Sequence, residues 1–371
     1  MKIGITCYPT YGGSGVVATE LGLELATRGH EIHFISYAMP LRLGAFHQNV
    51  FFHEVENADY PLFEYPPYTL ALASKMLEVA TYQKLDLLHC HYAIPHSISG
   101  FLAKRMSYAH KLKLITTLHG TDITIVGSSK SFLPITKFAI ETNDGVTAVS
   151  SYLKQRTLKE IGVDIPIEVI PNFINMEKFN RGECQIFRDS MAEKNEIVLS
   201  HISNFRPVKR VQDIILAFAK IHEKVPIQLL MIGDGPERSK CEELCRELKV
   251  CHKVKFLGKQ ESIRDLLSIS DIFIMPSDSE SFGLAALEAM ACGVPVVSSN
   301  AGGLPEVNLH GETGFTAEVG DVDALAERIL SLAKDDGLRQ KFSVNALERA
   351  KYFSVDRVIP LYEQFYENIL G

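Results

Sequence analysis

Two carboxylates stand out by their spacing. From Phe282 to Cys292 every residue is apolar or glycine except Glu288, and Glu280 lies eight positions upstream of it. A carboxylate on so apolar a helix is costly to bury unless it meets a hydrogen-bonding partner, and a ribose diol is one such partner. The backbone amides of Ser281, Phe282, Gly283 and Leu284 would open that helix, where amide donors and the helix dipole suit a diphosphate. A second stretch, Asn204-Phe205-Arg206-Pro207-Val208-Lys209-Arg210, packs three cations into five residues. Such crowding calls for an anion, with arginine as a planar fork and lysine as a point charge; a solvated basic turn is the alternative. A third, Tyr11-Gly12-Gly13-Ser14-Gly15, leads into a helix, and its glycines let backbone amides approach an anion or a sugar. Glycines serving only a tight turn and close packing are the plainer reading.

Gly13-Ser14-Gly15-Val16-Val17-Ala18 also fits the dinucleotide fingerprint, but the next strand ends Ile35-Ser36-Tyr37, with no acidic residue to hold a ribose. That argues against a nicotinamide site. His119, in Leu118-His119-Gly120-Thr121-Asp122, ends a further strand and belongs to the same class of loops. Asp321-Val322-Asp323 resembles a metal-binding D-x-D but reads better as the first turn of a helix.

These loops need a scaffold, and the hydrophobic pattern supplies it. Strand patterns at 2–7, 31–36, 50–55, 85–89, 113–118, 146–149 and 167–170 alternate with helical ones at 16–28, 67–83 and 151–161. The pattern then restarts, with strands at 196–202, 227–232, 254–257, 272–275 and 295–298. Helices are expected at 211–223, 236–249, 263–269 and 282–291. Such alternation marks parallel α/β construction. The fold class expected is α/β, with two facing Rossmann-like doubly wound domains and the active site in the cleft between them. The first domain spans 1–170 and the second 171–355, with a mixed-charge, aperiodic hinge at 171–188. A last amphipathic helix, 356–371, is expected to pack back on the first domain.

With 371 residues, two domains are the natural division. A composition of 46% hydrophobic and 22% charged residues excludes a disordered chain. The net charge of −7, from 45 acidic and 38 basic residues, gives no general attraction to nucleic acid. No apolar run nears the roughly 20 residues of a membrane span, and no signal peptide is evident. A cytoplasmic protein is the expectation. Seven cysteines, an odd number without a C-x-x-C pair, fit a reducing compartment. Cys241 and Cys245 lie one helical turn apart and read as buried thiols, not metal ligands.

Together these motifs resemble the retaining glycosyltransferases built from two Rossmann-like domains, the GT-B fold. Glu280 and Glu288 match that family's E-x7-E motif, Arg206 and Lys209 its paired cations. Gly233-Asp234-Gly235-Pro236 matches its G-x-G-P loop, and Gly12 to Gly15 its N-terminal glycine loop. The resemblance covers essentially the whole chain. It implies a nucleotide-sugar donor held by the second domain and an acceptor held by the first. By it, Arg206, Lys209, Glu280 and His119 are the catalytic residues. Gly13, Gly15, Gly233, Leu257, Lys259, Ser281, Phe282, Gly283, Leu284 and Glu288 bind the donor. It also implies no cofactor and no metal, the nucleotide sugar being a substrate.

The stretches 2–17, 89–96 and 203–210 are similar in more detail to one branch of that family. Its members place N-acetylglucosamine on L-malate at the start of bacillithiol biosynthesis. This implies UDP-N-acetylglucosamine and L-malate as partners, with Ser14, Tyr92, Thr121 and Arg206 at the acceptor. Tyr92 as a buried aromatic with a satisfied hydroxyl is the alternative. A phosphate-bearing or lipid acceptor is the other reading within the family, and a nucleotide-sugar binding module without turnover is the reading outside it. Neither nucleic acid nor membrane is expected as a partner. Monomer or homo-oligomer is left open.

Overall fold

The structure, a computed structural model, describes residues 1–9, 12–44, 46–56, 67–107, 111–127, 129–182 and 185–371. Thr10 and Tyr11 of the glycine loop and Cys184 lie outside them. The chain divides into two compact units, Met1–Asn172 with Asp356–Gly371, and Phe173–Val355.

Unit 1 is built on seven parallel strands: β1 (Lys2–Thr6), β2 (Glu31–Ser36), β3 (Val50–Glu54), β4 (Leu87–His91), β5 (Lys113–Leu118), β6 (Gly145–Ala148) and β7 (Glu168–Val169). Their order is β3-β2-β1-β4-β5-β6-β7. Residues of β1, β2, β4 and β5 are buried on both faces because crossover helices cover both sides. From β1 the chain winds outward through β2 and β3, and from β4 it winds the other way. The crevice beyond the carboxyl ends of β1 and β4 is therefore the topological switch point, where such sheets bind ligands.

Unit 2 repeats the plan with six parallel strands: β8 (Ile197–Ser203), β9 (Ile227–Gly233), β10 (Val254–Gly258), β11 (Ile272–Met275), β12 (Val296–Ser299) and β13 (Gly314–Ala317). The order β10-β9-β8-β11-β12-β13 puts its switch point at the ends of β8 and β11. Its main core packs Leu199, Phe218, Leu229, Met231 and Ile274 with Cys241 and Cys245, so those two cysteines are small core hydrophobes. Asp321 caps the helix Val322–Lys334 by accepting from the Ala324 amide at 2.9 Å, which makes its D-x-D a helix start.

The helix Val355–Leu370 follows unit 2 in sequence, yet from Asp356 on it is part of unit 1. Tyr362 and Tyr366 are fully buried there, and Tyr366 Oη lies 2.8 Å from His89 Nδ1. Glu363 meets Arg28 at 3.2 Å and His30 at 3.1 Å.

Most elements fall within two residues of the sequence expectation, and the differences have causes. β4 runs from Leu87 to His91, two residues later than 85–89. Histidine looks like a strand exit, but here both rings are buried and hydrogen-bonded, so the strand continues through them. β13, short and rich in Gly and Thr, carries no apolar run. The helix expected at 282–291 starts at Leu284, with Gly283 as its N-cap in the left-handed region (φ 99°).

Candidate active site

The loops after β8 and β11 meet at the switch point of unit 2. β8 ends at Ser203, and a 3₁₀ turn at Pro207–Lys209 swings Lys209 toward the loop after β11. There Lys209 Nζ lies 2.5 Å from Glu280 Oε1, which also accepts from Ser277 Oγ at 2.8 Å. Lysine charge and serine hydroxyl thus fix one oxygen of the carboxylate, and Oε2 has no partner among the described residues. Arg206 is exposed, and its guanidinium likewise has no partner among them. Arg210, the third cation of the cluster, bonds Asp213 at 2.7 Å and Asp278 at 3.2 Å. It ties the two loops together, leaving Arg206 and Lys209 as the pair available to an anion.

Glu288 is 6% exposed, within the helix Leu284–Ala291 as the apolar run implied. The amides of Gly283 and Leu284 open that helix, while the Phe282 side chain turns away into the core against Phe353, ring centres 5.4 Å apart. Gly233, at the end of β9, has φ 119°, and a Cβ there would stand 1.8 Å from the Ser203 carbonyl. Leu257, in β10, is half-buried and lies at the carboxyl end next to β9, with exposed Lys259 beyond it.

Two residues of this site have no distinguishing mark in the sequence. A Cβ on Gly302 would come within 2.0 Å of the Glu280 carbonyl, and one on Gly303 within 2.4 Å of the Ser281 carbonyl. The Gly303 amide also donates to the Glu280 carbonyl at 2.7 Å. The two glycines after β12 therefore clamp the backbone that carries Glu280. A Gly-Gly pair reads as an ordinary turn, and only the long-range approach reveals its purpose.

In unit 1, the helix Gly13–Thr27 begins with the glycine loop, placing Gly13 and Gly15 in its first turn. Ser14 Oγ donates to Tyr92 Oη at 3.0 Å, joining the exits of β1 and β4 at that unit's switch point. Tyr92 is half-buried with φ 102°, its ring against Tyr8 and His119. A tyrosine in the left-handed region is strained and is held there by its surroundings. Thr121 is exposed on the loop after β5, whereas Asp122 beside it is buried. The Asp122 carboxylate accepts from the amides of Ala93 (3.1 Å), Gly120 (2.9 Å) and His119 (3.3 Å), stitching the loops after β4 and β5 together. Burial pushes its pKa up to about 6 against the opposing pull of those amides.

His119 is 7% exposed, and its Nε2 lies 2.8 Å from His91 Nδ1. Behind this pair sit His89 and His96, both fully buried. Burial lowers the pKa of His119 and His89 to about 3 and of His96 to about 4, and drives that of His91 well below the usual value. All four rings are neutral at physiological pH. The sequence marked His119 but not the histidines behind it: the strand expected at 85–89 stops at His89, and His91 and His96 lie beyond it.

Residues 11–178 match the family described as Glycosyltransferase Family 4, and residues 184–349 the family described as Glycosyl transferases group 1. The N-acetyl-alpha-D-glucosaminyl L-malate synthase of Bacillus anthracis is 48% identical over 372 residues, covering 100% of this chain and 97% of that protein. The chain belongs to this family of glycosyltransferases and is an enzyme. Among solved structures, a glycosyltransferase from Rickettsia africae superposes with a TM-score of 0.84 at 24% identity, covering 100% of this chain and 98% of that one. Anabaena HepE, solved in complex with UDP-glucose, gives a TM-score of 0.85 at 21% identity, covering 99% and 100%. These neighbours share the fold of two Rossmann-like domains. Among the described residues, no helix is long and apolar enough to cross a membrane.

Proposed function

We propose that the enzyme transfers N-acetylglucosamine from UDP-N-acetylglucosamine to the hydroxyl of L-malate with retention of configuration. The product is N-acetyl-alpha-glucosaminyl-malate, the first intermediate of bacillithiol biosynthesis. End-to-end identity of 48% to the N-acetyl-alpha-D-glucosaminyl L-malate synthase of Bacillus anthracis carries the choice of sugar and acceptor. The charge arrangement of unit 2 supports the chemistry. As the bond from the anomeric carbon to the diphosphate breaks, positive charge develops on the sugar and negative charge on the leaving group. Arg206, with no competing partner among the described residues, and Lys209, already oriented by Glu280, meet that negative charge as preorganised cations. The malate hydroxyl attacks the anomeric carbon on the face the diphosphate leaves, and its proton passes to the departing diphosphate. A carboxylate nucleophile is then not required, in contrast to retaining glycosidases.

In this reading Glu280 offers Oε2 to sugar hydroxyls and Glu288 grips the ribose. The amides from Ser281 to Leu284 hold phosphate at a helix start. Gly233, Leu257 and Lys259 border the nucleoside. Gly13 and Gly15 approach the donor, His119 reaches its sugar, and Ser14, Tyr92 and Thr121 with Arg206 bind malate. Malate brings two carboxylates, which favours hydroxyl donors and a guanidinium in its pocket. No metal or cofactor is part of the mechanism, and the cytoplasm is its place. The six described cysteines, all free thiols, support a reducing compartment. The test is release of UDP from UDP-N-acetylglucosamine with L-malate, D-malate, an inositol phosphate or no acceptor. Dependence on L-malate supports the assignment, and indifference to it ends it.

A further inference from the structure

His119 is not an isolated ring, and the pattern of bonds behind it determines which of its nitrogens carries the proton. His96 Nδ1 lies 2.6 Å from the His91 carbonyl, which can only accept, so His96 is protonated on Nδ1. His91 Nδ1 and His119 Nε2 are 2.8 Å apart, and with both rings neutral one must donate to the other. His91 Nε2 is buried with no partner among the described residues. If His91 accepted at Nδ1, its own proton would sit on Nε2 as an orphaned buried N–H, which folded proteins almost never tolerate. If His91 donates from Nδ1, the orphan is a bare ring nitrogen, the less costly arrangement. Then His119 accepts at Nε2 and carries its proton on Nδ1. That Nδ1 makes no hydrogen bond within the described residues and is not among the buried polar atoms left unpaired, so it is the nitrogen that reaches solvent.

We infer that His91 is a positioning residue, whose Nδ1–H fixes His119 as a neutral ring presenting an Nδ1–H donor to substrate. This rests on the proposed function for the identity of that substrate, a sugar hydroxyl oxygen being the acceptor that suits the donor. Neutrality matters as much as direction. A protonated imidazole would repel the positive charge growing on the anomeric carbon, whereas a neutral N–H donor orients a hydroxyl without that cost. Asp122, in the same loop, is held by the backbone amides of Ala93, His119 and Gly120. It orients the backbone of His119, and His91 orients the ring. The aromatic contacts of His91 with His89 (4.4 Å) and of Tyr92 with His119 (5.4 Å) limit ring rotation further.

The test combines tautomer spectroscopy with kinetics on the full chain. In uniformly 15N-histidine-labelled protein at pH 7, long-range nitrogen–proton correlation should show His119 protonated on Nδ1. His91→Phe, which keeps ring volume and removes the donor, should give a mixture of His119 tautomers. Its kcat for L-malate-dependent UDP release should fall about 10- to 100-fold, with KM for the nucleotide sugar changed much less. His91→Asn, whose amide nitrogen can stand in for Nδ1, should restore the tautomer and part of the rate; it also serves if the phenylalanine variant does not fold. A wild-type His119 protonated on Nε2, or an unchanged tautomer and kcat in His91→Phe, would overturn the inference. If wild-type protein shows no malate-dependent release, the proposed function fails, while the tautomer result still decides the role of His91.

Discussion

Arg206 and Lys209 are three residues apart and differ in circumstance. Lys209 is engaged with Glu280, which in turn is held by Ser277. Arg206 is exposed and without a partner among the described residues, a costless position for a side chain awaiting an anion. Replacing it with alanine removes no hydrogen bond or ion pair found among the described residues. Arg206→Ala should therefore melt within about a degree of wild type while kcat falls about 10²- to 10³-fold, the loss typical of one preorganised charge at a developing anion. Steady-state kinetics and a thermal melt on the same preparation check both halves. A kinetically normal variant would remove Arg206 from the mechanism.

At the scale of elements, the loop carrying Glu280 is shaped by a turn that follows a different strand. Gly302 has φ 67° and leaves no room for a side chain against the Glu280 carbonyl. Gly302→Ala should destabilise the protein by about 1–3 kcal/mol and weaken nucleotide-sugar binding, because the clash pushes on the Glu280 loop itself. Calorimetry would detect both effects, and a variant binding UDP-N-acetylglucosamine as well as wild type would refute the clamp. This contact also shows where sequence stops informing. The alternation of strands and helices, the basic turn at Arg206 and Lys209, and the lone Glu288 on an apolar helix were legible because local spacing expresses them. Gly302 against Glu280 and Asp122 across two loops were not, because each depends on residues brought together by the sheet order. β4 was misplaced for a related reason: buried histidines count as polar in a hydrophobic pattern, and only their partners Tyr366, Thr117 and His119 make them core residues.

For the whole molecule, the neutral histidines of unit 1 predict an acid sensitivity. His89, His91, His96 and His119 have folded pKa values well below 6.5, so below pH 6.5 the unfolded chain takes up protons that the folded chain refuses. Their stabilisation is fully present above about pH 6.5 and is lost as pH falls toward 4. The slope is about 1.4 kcal/mol per pH unit for each ring. Asp122 acts in the opposite direction. Its folded pKa of about 6 lets the folded state hold a proton that the unfolded carboxyl, at 3.8, releases. Four histidines against one carboxyl leave a clear net loss. His201 in unit 2, lowered to about 4, adds one more group that must stay neutral. Chemical denaturation at pH 7.5 and pH 5.5 should show a drop of several kcal/mol, with unit 1 unfolding first. Equal stability at the two values would mean that these rings are not buried neutral.

Transfer of N-acetylglucosamine to malate is decided by UDP release from UDP-N-acetylglucosamine across an acceptor panel, with and without a chelator. Release should require L-malate, ignore D-malate and inositol phosphate, be unchanged by chelator and yield an α-linked product. Release that proceeds with inositol phosphate, or that never depends on L-malate, would contradict that transfer.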